Sequence, residues 1–183
     1  MSKRAGIVLG LCALMTGGAA VQAQNQAPAA SAATGPLVLG TAVPNVTLLI
    51  NGKMKPLKSL LAGNRTLVVF YPGACTSCDS QLQAIDKGTL QALGRLGFAA
   101  FAVSPDLPAD QAKTVGRLAL SYTVLSDPGG AAARAFHAAG SAAFLIDIDG
   151  TVRFVSNLDR APLAGADLLA AAKALRRESR AKR

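Results

Sequence analysis

Tryptophan is absent from the 183-residue chain, which holds one histidine, one glutamate and three cysteines. One histidine and one glutamate leave little material for a metal cluster or a paired-carboxylate active site. So few cysteines exclude a disulfide-dense small scaffold. Aromatic residues make up 4% and charged residues 16%. Leu, Ile, Val and Phe are nonetheless plentiful, so a wholly disordered chain is excluded. No apolar run reaches the roughly 20 residues that a membrane span needs, which excludes a multi-span membrane protein. Alanine accounts for 37 residues, so the 51% hydrophobic content overstates what can be buried. The length still allows one domain with a core that needs no staples.

The two ends of the chain are compositionally distinct. Lys3 and Arg4 precede a short apolar stretch, Ala5 to Ala20, and then Val21, Gln22 and Ala23. This order reads as a secretory signal over residues 1–23, cleaved after Ala23, and implies a periplasmic or secreted bacterial protein. Cys12 lies inside the signal behind Leu11, where lipid attachment wants a small residue, so no lipid anchor is expected there. Residues 24–36 are small and uncharged, as in a flexible linker. The net charge of +9 is concentrated at the far end: from Lys173 onward six basic residues face one acid, Glu178. Residues 176–183 read as a basic tail, the solvated end of a helix whose cations suit the C-terminal dipole. Aromatics do not interleave these charges, so no base-stacking surface and no nucleic-acid partner are expected.

Between the ends the pattern is that of an α/β domain over residues 37–175. Thr47 to Ile50, Asn51-Gly52, and Lys53 onward form a hairpin signal. Thr66 to Tyr71 is a continuous apolar, β-branched and aromatic run, suited to a strand buried on both faces. Pro72 and Gly73 stop it. A helix is expected from Cys75 to about Leu93, with Leu82, Ile85, Leu90 and Leu93 on one face. Phe98 to Val103 is the next strand, joined to the first by a connection long enough for a parallel crossover. A helix at 109–119, a strand at 122–125 and an Ala-rich helix at 131–139 follow. Strands at 143–148 and 151–156 flank the turn signal Asp149-Gly150. A last helix from about Leu163 places Leu168, Ala172 and Leu175 on one face. The expected sheet is mixed, parallel in the middle and antiparallel at one edge, with helices on both faces.

Chemistry concentrates at Cys75-Thr76-Ser77-Cys78, where a buried strand gives way to a helix. Free N–H groups and the positive end of the helix dipole favour a thiolate there. A Cys-x-x-Cys pair beside a βαβ unit is a redox signal. The first cysteine of such a pair is expected to expose its sulfur, and the second to lie one turn in, more shielded, within reach to close a disulfide. Other readings of the residues are a structural disulfide, two buried thiols or a zinc site. So small a loop would gain little from a structural bridge, and two thiolates with His137 fall short of four zinc ligands.

The segment Val68 to Cys78, VVFYPGACTSC, resembles the thioredoxin-like superfamily. Within it the likeness is to the redoxin branch, the alkyl hydroperoxide reductase and thiol-specific antioxidant domain, in peroxiredoxin-like members with a Cys-x-x-Cys. Gly40 to Pro44, Val124 to Pro128 and Phe144 to Gly150 fit the same pattern, so the resemblance covers about residues 37 to 175. It implies a thioredoxin-like fold and an exported thiol–disulfide oxidoreductase or peroxiredoxin-like antioxidant. Cys75 would be the nucleophile and Cys78 the resolving thiol. No cofactor beyond the cysteine pair is implied, and no metal. The partners implied are a protein or small-molecule disulfide or a peroxide as substrate, and an upstream thiol donor. An alternative is a copper-binding thiol protein using Cys75 and Cys78, with or without His137 as a further nitrogen ligand. The sequence departs from superfamily habit in several places. Ala74 replaces the tryptophan usual before the first cysteine, Val69 a buried aspartate, and Ser141 a cis-proline or a peroxiredoxin arginine. Pro72 and Thr76 fit the peroxiredoxin Pro-x-x-x-Thr-x-x-Cys spacing, but Asp79 holds its cysteine position. Slow reaction with hydrogen peroxide is therefore expected.

Overall fold

The computed structural model describes residues 37, 39–73, 75–138, 140–159 and 165–181. The expected signal (1–23), with Cys12, and the expected linker (24–36) lie outside the described residues. All described residues belong to one compact unit, Ala32–Arg183.

Asn51-Gly52 turns β1 (Thr47–Ile50) back onto β2 (Lys53–Pro56), with Ile50 paired to Lys53. The short α1 (Leu57–Leu61) leads into β3 (Arg65–Phe70), the apolar run recognised in the sequence. One helical run follows: α2 (Thr76–Ala84), a π-helical segment (Ile85–Leu90) and α3 (Gln91–Arg95). β4 (Phe98–Ser104), α4 (Pro108–Leu118), β5 (Thr123–Ser126) and α5 (Ala131–Ala135) come next. The chain ends with β6 (Ala142–Ile146), β7 (Val152–Asn157) and α6 (Gly165–Ala181).

The seven strands form one mixed sheet in the order β2-β1-β5-β4-β3-β6-β7. β3, β4 and β5 are parallel, and β6 and β7 continue antiparallel beside β3. Contrary to the expectation of one antiparallel edge, both edges are antiparallel. The β1–β2 hairpin joins the sheet next to β5 through the pair Leu49–Ser126. A hairpin's own turn carries no information about which strand it will dock on.

Side chains alternate across β3 as a two-residue period requires. Leu67 and Val69 point into a core shared with Leu82, Ile85, Leu93, Leu118 and Leu168. Val68 and Phe70 point into a second core with Leu57, Ala132, Phe136 and Phe144. In that second core Phe70, Phe136 and Phe144 pack tilted or edge to face, with centroids 4.9 to 5.8 Å apart. The helical run from α2 to α3 and α6 thus cover one face, while α1 and α5 cover the other.

Two of the helical stretches differ from the sequence reading. The π-helical segment adds a residue to the turn, so Thr89 is buried where Leu90 was expected, and Leu90 is only half-buried. α5 stops at Ala135 instead of near 139. His137 adopts φ 53°, its N–H donates to Arg134 O, and Ala138 N–H donates to Ala133 O. That pair of bonds is a Schellman stop, which needs a left-handed residue at the position His137 fills. Alanine-rich composition favours helix, but burial of Phe136 among the aromatic rings fixes where the chain turns. In α6, Leu168, Ala172 and Leu175 are buried as expected. The expected basic tail is, over residues 176–181, simply the last turns of α6. Among the described residues no helix is long and apolar enough to cross a membrane.

Candidate active site

The end of β3 delivers the chain to the site. Tyr71 N–H still donates to Val103 O at 3.0 Å, as a last rung of the parallel ladder. Gly73 then turns at φ 89°, with Asp106 packed so close that a Cβ there would lie 2.5 Å from its Oδ1. Only glycine meets both conditions without strain. The extended Cys75, at φ −151° and ψ 111°, is the N-cap of α2. A sulfur takes the place of the usual capping oxygen: Cys78 N–H donates to Cys75 Sγ at 3.2 Å.

Cys75 and Cys78 are joined in a disulfide. A disulfide sulfur carries no hydrogen, so each nearby hydroxyl must be the donor. Ser77 Oγ lies 3.2 Å from Cys75 Sγ on the exposed side, and Ser141 Oγ lies 3.3 Å from Cys78 Sγ in the interior. Cys78 and Ser141 are each only 3% exposed, whereas Cys75 is half-buried. The asymmetry expected from the motif is therefore present. The first sulfur lies at a helix N-terminus with an amide and a hydroxyl donor, and the second is packed under it.

Charge at the site is sparse. Asp79, in the first turn of α2, is ion-paired to Arg117 of α4 at 2.7 Å. The position that would carry a peroxiredoxin cysteine is thus a paired carboxylate. Val69, at the position of a buried aspartate, is buried in the core. Among the described residues the buried Tyr71 hydroxyl has no hydrogen-bond partner. Burial pushes its phenol up from the ordinary value, with the nearby Ser104 hydroxyl offsetting part of the shift and Asp106 and Asp79 adding to it. A cavity of about 150 Å³ opens beside this loop, lined by Tyr71, Pro72, Ser104, Pro105 and Gly140 among others.

His137 does not join the pair. It is exposed at the end of α5, on the face of the sheet opposite α2. Among the described residues no group of three His, Cys, Asp or Glu side chains could hold a metal ion. The geometry therefore does not place His137 as a third ligand for the copper-binding alternative. Conversely, Ser77 and Ser141 were missed as site residues. The available signal for Ser141 was its place at a position that the superfamily uses for function. Nothing local announces its contact with a cysteine 63 residues earlier.

A buried strand, a cysteine-capped helix and a disulfide across its first turn define a thioredoxin-like thiol-redox enzyme. More narrowly, the chain belongs to the AhpC/TSA family, whose model matches residues 39–155. It is 32% identical over 111 residues to a Haemophilus influenzae protein described as "Putative peroxiredoxin bcp", covering 60% of this chain and 71% of that one. A Chlorobium tepidum structure described as a "putative Thiol:disulfide interchange protein DsbE" superposes with a TM-score of 0.61. It is 25% identical and covers 74% of this chain and 99% of its own. Peroxidoxin BcpB from Mycobacterium tuberculosis shares the fold, with a TM-score of 0.65 at 24% identity over 74% of this chain and 96% of its own.

Proposed function

We propose that the protein is an exported thiol–disulfide oxidoreductase in which Cys75 attacks and Cys78 resolves. The observation that carries this is the unlike surroundings of the two sulfurs. Cys75 sits half-buried at the N-cap with the Cys78 amide and the Ser77 hydroxyl on its sulfur, while Cys78 is buried behind it. Both donors and the helix dipole favour negative charge on Cys75.

The Cys75 thiolate attacks one sulfur of a substrate disulfide. That bond breaks, and the departing substrate sulfur leaves as a thiolate and picks up a proton. Cys78, as thiolate, then attacks Cys75 Sγ in the mixed disulfide and expels the second substrate thiol. Two electrons pass from the cysteine pair to the substrate, and the pair ends as the Cys75–Cys78 disulfide. An upstream thiol donor reduces it again. The apolar cavity beside Pro72 gives a small apolar group of the substrate a seat. Export rests on Lys3 and Arg4, the apolar stretch Ala5 to Ala20 and the cleavage site after Ala23. Peroxide is the second substrate class, favoured by the AhpC/TSA match.

The test is mixed-disulfide trapping with a disulfide-bonded peptide, quenched in acid and read by mass spectrometry. Cys78→Ser accumulates the adduct and Cys75→Ser does not form it quickly. Equal trapping by the two variants contradicts the assigned roles. No trapping by either returns the pair to a structural bridge.

A further inference from the structure

We propose that Ser141 is a catalytic residue of the second step: its buried hydroxyl donates a hydrogen bond to the Cys78 thiolate as that thiolate attacks the mixed disulfide. This rests on the reading of Cys78 as the resolving thiol. Ser141 Oγ lies 3.3 Å from Cys78 Sγ, and both side chains are fully enclosed. Ser141 is held there by its backbone. Its N–H donates to Asp159 Oδ1 at 2.9 Å, and its carbonyl accepts from Leu158 N–H at 2.8 Å. Gly140 beside it leaves room for the Asp159 carboxylate. The hydroxyl is thus presented by a clamped loop, so little ordering remains to be done when charge develops on the sulfur.

A buried thiolate is costly unless something donates to it. The charged and titratable groups on the elements around Cys78 are few among the described residues. Asp79 on α2 is ion-paired to Arg117 of α4. Tyr71 after β3 and Tyr122 before β5 carry buried phenols, and the Tyr122 hydroxyl is committed to Leu82 O. Asp86, further along the helical run, is held by Ser121. Asp159, after β7, acts on the Ser141 amide. α6 contributes Leu168, Ala172 and Leu175 to this core. β3 contributes Val69, an apolar residue that can neither accept nor donate a proton. Among the described residues the Ser141 hydroxyl is the side-chain donor to this sulfur.

The electron count of the exchange is unchanged by Ser141. Cys78 releases its proton to water, and its sulfur forms the bond to Cys75 Sγ. The Cys75–substrate bond breaks, and the leaving sulfur takes a proton from water. Ser141 keeps its own proton throughout.

The experiment follows the lifetime of the mixed disulfide formed between the reduced full chain and oxidised glutathione, by rapid acid quench across a pH series. Wild type, Ser141→Ala, Ser141→Thr and Cys78→Ser are compared. Ser141→Ala is expected to slow resolution about tenfold near neutrality and to move its pH midpoint up by about one unit, the size of one lost hydrogen bond to a charged group. The rate of the first step, set by Cys75, stays at the wild-type value. Ser141→Thr, which keeps a hydroxyl, restores the midpoint. Thiolate absorbance of Cys75→Ser with and without Ser141→Ala gives the same upward shift by a route that needs no turnover. An unshifted midpoint, or a threonine variant as slow as alanine, overturns the role of Ser141 while leaving Cys78 as resolver. Failure of Cys78→Ser to accumulate the adduct overturns both.

Discussion

Replacing Gly140 by alanine tests how the loop bearing Ser141 is held. Gly140 is not in the left-handed region, so alanine is conformationally allowed there. A Cβ would nevertheless fall 2.7 Å from Asp159 Cγ and closer still to one carboxylate oxygen. Asp159 must swing away, and it carries the bond that anchors Ser141 N–H. A bond to a charged acceptor at this partly exposed site is worth about 1 to 2 kcal/mol. Alanine for glycine recovers about 0.4 to 1 kcal/mol through the unfolded chain. Gly140→Ala should therefore cost about 1 kcal/mol net, by combining those two figures. In Asp159→Ala the obstacle is already gone, and the same substitution becomes neutral or stabilising. The pair should show a coupling of about 1 to 2 kcal/mol in a double-mutant cycle read from urea midpoints at constant slope. Gly73→Ala is the contrast. At φ 89° it remains strained by about 1 to 2 kcal/mol even when Asp106 is truncated. Additive effects at Gly140 and Asp159 would refute the clamp.

His137→Gly should stabilise the protein slightly or leave it unchanged, because glycine fills a left-handed helix stop without the penalty that His137 carries at φ 53°. Exchange activity should be retained; loss of activity would restore a chemical role to the imidazole. With two tyrosines and no tryptophan, phenolate absorbance reports Tyr71 and Tyr122 alone. Burial, with repulsion from Asp86 at Tyr122 and from Asp106 and Asp79 at Tyr71, pushes both phenols up. A raised folded value contributes stability that is fully present below the unfolded value, about 10, and is lost as pH rises through the folded one. Ionisation should therefore be delayed past the ordinary range and coincide with alkaline unfolding. Free titration of either phenol at its ordinary value would contradict the packing. Hydrogen peroxide should oxidise the reduced pair more slowly than it oxidises a dedicated peroxidase. The donors seen on Cys75 are an amide and a neutral hydroxyl, and the nearby Arg117 is bound to Asp79. Stopped-flow mixing checks this, and peroxidase-like rates would refute it.

Local physics made most of the fold legible. The β-branched run at β3, the Asn51-Gly52 turn and the spacing of Leu168, Ala172 and Leu175 all declare themselves within a few residues. The cysteine pair was legible for the same reason: strand, stop, N-cap and Cys-x-x-Cys are contiguous. Features set by tertiary contact were not. The π-helical turn that buries Thr89, the early stop of α5 at His137 and the docking of β1 beside β5 each depend on distant partners. The Ser141–Cys78 contact and the Asp159 clamp behind it join segments that the sequence keeps apart.

The reduction potential of the Cys75–Cys78 pair, measured by equilibration with glutathione and dithiothreitol buffers, tests the central claim most directly. A pair whose nucleophile caps a helix and whose partner receives a hydroxyl donor is stabilised in its reduced form. Its potential is expected within the catalytic span of roughly −120 to −270 mV. A value below about −300 mV, with a bond that resists the glutathione pool, would mark a structural disulfide and rule out a catalytic pair.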